Sequence, residues 1–262
     1  LSKPRLPRDI SCRVSGADRQ FQIPRAMLSQ TETVILAGGL GTRLQAVLPS
    51  GQPKVLASIS GQPFLRLLMD RLYRAGVRRI VLALGYGAEA VRTFLHEQSW
   101  PSDLYLRDSV ESEPLGTGGA LRSVLPLLGS RTFIAMNGDT IVDVDYGRML
   151  DFHRQHAAQV TMALTSVVDA SRYGQVSTNA EGQVIAFGEK TARPGQAGDI
   201  NAGVYVINRE IIEAIPQGRA VSWERDILPR YSNGGVYAFV SGGMFIDIGT
   251  PASLERAAAI FP

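Results

Sequence analysis

A chain of 262 residues, 45 % of them hydrophobic and 19 % charged, has the material for one large packed core or two small ones. Its net charge of +3 sits near the start, where Lys3, Arg5, Arg8, Arg13, Arg19 and Arg25 face only Asp9 and Asp18. The remainder is therefore one charge negative and offers no broad cationic face to nucleic acid or anionic lipid. No stretch approaches the roughly 20 apolar residues that span a bilayer, and the basic leader lacks the apolar core of a secretory signal. The single Cys12 cannot form an internal disulfide, and His96, His153 and His156 share no ligand spacing with it. The expectation is a cytoplasmic protein with no nucleic-acid or membrane partner. Residues 1–30 read as a disordered or non-native arm, and 31–262 as one mixed α/β domain.

Taken in chain order, Thr33–Leu36 is a buried-type strand running into the glycine-rich "AGGLGTR". Pro63 then opens a helix whose Phe64, Leu67, Leu68 and Leu72 recur at helical spacing until Gly76 stops it. A strand over Arg79–Leu84, a helix through Val91–His96 and a strand at Leu104–Leu106 follow. Next come a helix from about Gly119 to Leu128 and a buried strand Thr132–Met136 that stops at "NGD". Alternating strand and helix is the pattern of a mainly parallel sheet. Beyond Gly147 the rhythm changes: a helix with Met149, Leu150 and Phe152 leads to strands at Val160–Val168, Gln183–Phe187 and Gly203–Ile207. Their short links predict antiparallel additions to the same sheet.

Ligands of open α/β sheets sit outside the carboxyl ends of the strands. Two loops at such ends carry chemistry. In "AGGLGTR" the glycines let backbone N–H groups approach a phosphate, and Arg43 adds a charge that cannot be lost. The turn is neither a dinucleotide fingerprint, since Leu44 stands at its sixth position, nor a P-loop, since no Gly-Lys-Ser/Thr follows. Lys54 in "QPKVL" supplies a second cation, or is a solvated surface lysine. Asp139 in "NGD" and Asp247 in "FIDIGTP" each follow apolar residues, as ligands of a hard cation such as Mg²⁺ would, and each serves equally as a turn cap. Glu189 and Lys190 in "FGEKTARPG" offer a carboxylate for hydroxyls and an ammonium for a phosphate, or a plain exposed ion pair. Asn201 in "NAGVY" offers an amide for sugar hydroxyls, or a polar strand start. Gly85 to Ala90, with Asp108 some twenty residues on, copies the spacing of a nicotinamide-dinucleotide site, although a glycine turn between strand and helix explains it without a cofactor.

In their order along Thr33 to Ala259, these stretches resemble the sugar-1-phosphate nucleotidylyltransferases. The carriers are "LAGGLGTRL", "PK" then "GQPF", "EPLGTGGAL", "NGDT", "RYGQV", "GEK", "NAGVY" and "FIDIGTP". The resemblance implies a Rossmann-like nucleotidyltransferase fold, a mixed, mostly parallel sheet flanked by helices with antiparallel strands on the sugar side. It implies that a sugar 1-phosphate attacks the α-phosphate of a nucleoside triphosphate and releases pyrophosphate. It assigns Leu36, Gly38, Gly39, Arg43, Lys54 and Gly116 to the nucleotide, Asp139 and Asp247 to Mg²⁺, Lys190 to the sugar phosphate, and Gly174, Glu189 and Asn201 to the sugar side. Gln62 departs from the lysine often found in "GKP", and no hexapeptide-repeat extension is expected after the Asp247 segment. A phosphate monoester is already largely a dianion near neutral pH, with a second pKa of about 6, so the chemistry needs no histidine base.

The base is read from physical chemistry. Guanine presents N1–H and N2–H₂ side by side, and a carboxylate only accepts, so Glu113 ahead of "PLGTGGAL" favours GTP, unless it is merely an exposed glutamate. Within the family, "PFLRLLMDRL", "VLALGY", "NGDTIVDVD" and "DFHRQH" are most similar to bacterial enzymes that guanylylate D-glycero-α-D-manno-heptose 1-phosphate for surface polysaccharide.

Overall fold

The computed structural model describes residues 25–188 and 195–261. The arm expected over residues 1–30 therefore lies outside the described residues up to position 24. The described chain opens with α1 (Arg25–Leu28) and β1 (Glu32–Ala37), followed by the short hairpin β2 (Ser58–Ile59) and β3 (Gln62–Pro63). Then come α2 (Phe64–Ala75), β4 (Arg79–Leu84), α3 (Ala88–Glu97), β5 (Tyr105–Val110), α4 (Gly116–Val124), β6 (Thr132–Asn137) and β7 (Thr140–Val142). The second half holds α5 (Tyr146–Gln155), β8 (Val160–Val167), β9 (Gln175–Thr178), β10 (Val184–Gly188), β11 (Gly198–Asn208), α6 (Arg209–Glu213), β12 (Val236–Val240), β13 (Phe245–Asp247) and α7 (Pro251–Ile260).

The main sheet runs β10-β9-β11-β6-β1-β4-β5, with β8 on β11 and β12 on β8. Strands β6, β1, β4 and β5 are parallel, and β11 joins β6 antiparallel. The expected mixed sheet with antiparallel later strands is thus present. One addition differs, since β12 pairs β8 in parallel. The chain steps from β1 outward to β4 and β5, then returns to the other flank of β1 as β6, which puts a topological switch point between β1 and β6.

Successive strand residues face opposite sides, so each face of the sheet has its own core. In β1, Ile35 belongs to the core that also holds residues of α2, α3, α5 and α7, while Val34 belongs to the one that holds residues of α4, α6 and Trp223. Helix α2 shows the sequence logic. Phe64, Leu65, Leu68, Met69 and Leu72 fall on one face and are buried, each contributing about 1.5–3 kcal/mol of hydrophobic stabilisation. Pro63 is its N-cap rather than its first residue, and Gly76, at φ 108°, ends it with an N–H to the carbonyls of Leu72 and Tyr73.

Candidate active site

Four parallel strands deliver their following loops to one place. After β1 comes Gly38, after β4 Gly85, after β5 Glu111, and β6 ends at Asn137 with Asp139 in the turn that follows. All line a single cavity of about 580 Å³. The contacts that close it explain the small residues. A Cβ on Gly85 would lie 2.9 Å from the Gly38 carbonyl, and one on Gly138 2.7 Å from the Leu36 carbonyl, so neither position admits a side chain without moving backbone. Gly41 lies against Lys54, since a Cβ there would stand 3.0 Å from the lysine's own Cβ. The first glycine turn and Lys54 therefore form one wall.

One end of the cavity is the charged end. Lys54 forms an ion pair with Asp139, its side chain only 14 % exposed. Asp247 does not line the cavity but is brought beside this end from far along the chain because β13 pairs antiparallel with β7, setting Asp247 opposite Thr140, and the Ile248 N–H donates to the Asp139 carbonyl at 3.0 Å. The Asp247 carboxylate accepts from the Tyr173 hydroxyl and, at 2.8 Å, from the Gly249 N–H, with Arg172 3.8 Å away. Burial, and then that hydrogen bond, push the Tyr173 phenol well above its ordinary value, so it stays a donor. Arg43 is exposed and does not line the cavity. Its guanidinium instead lies against the Asp247 turn, where a Cβ on Gly249 would come 3.4 Å from Arg43 Nη2.

The two aspartates have their backbones joined through the β7–β13 ribbon and offer the oxygen donors a divalent cation prefers. They are hard oxygen donors, and Lys54 on Asp139 and Arg172 near Asp247 already mark the place as one that gathers positive charge. Among the described residues no group of three or more His, Cys, Asp or Glu could cage a metal without help from substrate oxygens.

The other end of the cavity is carboxylate-lined. Glu113 lines it and is exposed, as expected for a base contact or a bystander. Two acidic residues that the sequence reading passed over are set more firmly. Glu111 accepts the Leu115 N–H on Oε2 at 3.2 Å, while its Oε1 fills the space beside Gly38 and Gly85. Burial raises its carboxyl above the ordinary value, partly offset by that N–H. Glu224 lines the same end from a distant segment. The motif rule that found Glu113, a carboxylate ahead of "PLGTGGAL", applied equally to Glu111 two residues earlier.

Of the remaining predicted residues, Leu36, Gly39 and Gly116 line the cavity. Gly174 and Asn201 meet across the sheet, the Asn201 N–H donating to the Gly174 carbonyl at 3.4 Å. Asn201 is not a strand start; it sits inside the long β11, where its side chain accepts the Gly203 N–H at 2.9 Å and donates to the Tyr205 hydroxyl at 2.6 Å. Gly203 takes φ 72° at this irregularity, close against Asn137, which tethers the sugar-side strand to the cavity. Glu189 and Lys190 lie outside the described residues. The nicotinamide-like pattern resolves as packing: Gly85 abuts Gly38, the Tyr86 N–H donates to the Gly38 carbonyl at 3.2 Å, and Asp108 is held by Arg92 at 2.7 Å rather than presented to a ribose.

A mostly parallel sheet with a glycine turn and a cavity of about 580 Å³ at its switch point, lined by the Lys54–Asp139 pair, is the architecture of a nucleotide-handling α/β protein. The chain belongs to the nucleotidyl transferase family, whose sequence pattern matches residues 32–261. It is 37 % identical over 233 residues to the mannose-1-phosphate guanylyltransferase of Mycobacterium tuberculosis, covering 88 % of this chain and 64 % of that one. It is 36 % identical over 227 residues to the D-glycero-α-D-manno-heptose 1-phosphate guanylyltransferase of Aneurinibacillus thermoaerophilus, covering 86 % of this chain and 96 % of the relative. The structure of HddC from Yersinia pseudotuberculosis complexed with GMP-PN superposes with a TM-score of 0.79 at 37 % identity, over 88 % of this chain and all of that one.

Proposed function

We propose that this chain transfers a guanylyl group from GTP to a sugar 1-phosphate, giving a GDP-sugar and pyrophosphate. The observation that carries the reading is the polarity of one cavity, with the Lys54–Asp139 pair at one end, the Asp247 strand end hydrogen-bonded through backbone beside it, and carboxylates at the other. A triphosphate needs cations, and guanine's edge needs acceptors, so the nucleotide has one productive direction in the site. Relatives that guanylylate sugar phosphates, at 36–37 % identity, support it.

In the proposed reaction an oxygen of the sugar phosphate attacks the α-phosphorus, and the bond to the β-phosphate breaks. The nucleophile is already an anion, so the protein's task is positioning and charge neutralisation rather than proton abstraction. The glycine turn over Gly38–Gly41 aims backbone donors at the phosphates, Lys54 neutralises their charge, and Arg43, lying against the Asp247 turn, receives the departing pyrophosphate. Asp139 and Asp247 would hold Mg²⁺, which when bound polarises phosphoryl oxygens and neutralises developing charge. Gly174, Asn201 and the residues Glu189 and Lys190 would meet the sugar phosphate.

The sugar we propose is D-glycero-α-D-manno-heptose 1-phosphate, with product destined for surface polysaccharide. Mannose 1-phosphate, named in the other relative, shares the manno configuration. The test is pyrophosphate release from GTP, UTP, dTTP and CTP against heptose, mannose and glucose 1-phosphates. GTP with a manno-configured sugar should dominate, and turnover confined to a pyrimidine triphosphate would sink the reading.

A further inference from the structure

The far end of the cavity is built by a strap that the family reading leaves without a role. Residues 219–224 cross the start of α4 and are bound to it by backbone. The Gly118 and Gly119 N–H groups donate to the Val221 carbonyl at 2.8 and 3.3 Å, and the Val221 N–H donates to the Leu115 carbonyl at 2.8 Å. The glycines of "GTGG" are what permit this approach, since a Cβ on Gly119 would stand 2.6 Å from the Arg219 carbonyl. The strap is anchored by Trp223, fully buried edge-on against Tyr205, and the Trp223 backbone N–H donates to Thr117 Oγ1 at 2.9 Å. Thr117 in turn donates to Glu224 Oε2 at 2.8 Å, and Ser222 Oγ approaches the same oxygen at 3.4 Å. Thus Glu224 is held by one oxygen, and among the described residues its Oε1 accepts no hydrogen bond.

Guanine carries three N–H bonds at this edge, one on N1 and two on the 2-amino group. Glu111, a cavity-lining residue, has spent Oε2 on the Leu115 N–H and keeps Oε1, beside Gly38 and Gly85, as its remaining acceptor. Glu113 also lines the cavity, but it is exposed and no hydrogen bond among the described residues anchors it, so Glu111 alone offers one fixed acceptor and leaves part of that edge without a second, which in a partly buried site is costly. We infer that Glu224 is a second nucleobase-specificity residue, its free oxygen accepting from the guanine 2-amino group while Thr117 holds the carboxylate in place. The inference rests on the guanylyltransferase reading and deepens it: two carboxylates on either side of the Leu115–Thr117 turn read the donor-rich edge, and bases poorer in donors leave one of them unpaired.

The experiment compares kcat/KM for GTP, ITP and 2′-deoxy-GTP in wild type, Glu224→Gln and Thr117→Val. Inosine lacks only the 2-amino group. In Glu224→Gln, whose amide oxygen still accepts from Thr117, the preference for GTP over ITP should fall about tenfold or more, the size expected when a buried polar partner is lost. Thr117→Val should lower the same ratio by a smaller factor. Equal losses with GTP and ITP would make Glu224 structural and overturn the inference. Collapse of the preference for GTP over 2′-deoxy-GTP, with the ITP ratio intact, would place it on the ribose and overturn it as well. Wild-type enzyme that ignores all three purine triphosphates but uses UTP would instead refute the guanylyltransferase reading itself.

Discussion

Asp139 and Glu111 are both carboxylates on the lip of one cavity, yet their settings differ. Asp139 is paired with Lys54 and joined through backbone to the Asp247 strand, where a metal and a polyphosphate would add further charge partners. Replacing it with Asn keeps the volume and removes the charge. Asp139→Asn should lower kcat by roughly 10²–10³-fold, in the range seen when one preorganised charge is lost, while circular dichroism stays native. Glu111 is the opposite case. Burial raises its pKa, so at neutral pH the folded protein carries a charge it would rather not have. The sign follows from linkage: the folded state binds the proton more tightly than the unfolded one, so this carboxylate detracts from stability in full above its folded pKa, and the deficit shrinks as pH falls from there to the lower unfolded pKa. Glu111→Gln should therefore raise Tm slightly at pH 7.5 and weaken GTP turnover. Lower Tm together with unchanged turnover would show the carboxylate to be structural.

At the scale of elements, the start of α4 is the most constrained joint. Gly116 takes φ 67° and its missing Cβ would stand 2.7 Å from the Val221 carbonyl, so conformation and contact both demand glycine. Gly116→Ala should cost about 1–3 kcal/mol in denaturant unfolding, because strain and a backbone clash act together. It should also impair nucleotide binding, since Gly116 lines the cavity and Thr117 beside it holds Glu224. The β7–β13 ribbon is the second joint. Six residues in all, Thr140–Val142 and Phe245–Asp247, bring together aspartates more than a hundred positions apart in sequence.

For the molecule as a whole, His153 supplies a pH lever on stability that is separate from the chemistry. It projects from α5 into the sheet, only 3 % exposed, with Nδ1 at 2.9 Å from Thr161 Oγ1 and Nε2 at 3.0 Å from Asn208 Oδ1. Burial lowers its pKa, against the opposing influence of Asn208. The unfolded chain takes up a proton near pH 6.5 that the folded chain refuses, so this stability is fully present above that pH and declines below it. The loss is at most about 1.4 kcal/mol per pH unit until the folded pKa is reached. Urea unfolding at pH 7.5, 6.5 and 5.5 should show this slope in wild type and a shallower one in His153→Gln. Parallel slopes would assign the acid sensitivity to the carboxylates instead.

The sequence by itself determined the parts whose signal is local. The β1, β4 and β6 strands declare themselves by apolar runs, α2 by the spacing of Phe64, Leu68 and Leu72, and the phosphate turn by glycines followed by Arg43. The β strands of the second half were harder. Gln175–Thr178 alternates too weakly to be recognised, and Gly198–Asn208 exceeds its apolar run because its first residues are polar and paired at an irregular stretch of sheet. What only the tertiary structure decided is which distant groups share a volume. Asp247 comes beside Asp139 through strand pairing, Tyr173 meets Asp247 through a side-chain hydrogen bond, and Glu224 shares a cavity with Glu111 because a glycine-lined helix start lets a strap lie on it. The physical reason is one of range: propensity and periodicity act over a few residues, whereas the chemistry of this cavity depends on contacts between segments that only closure of the sheet and its helices brings within hydrogen-bonding distance.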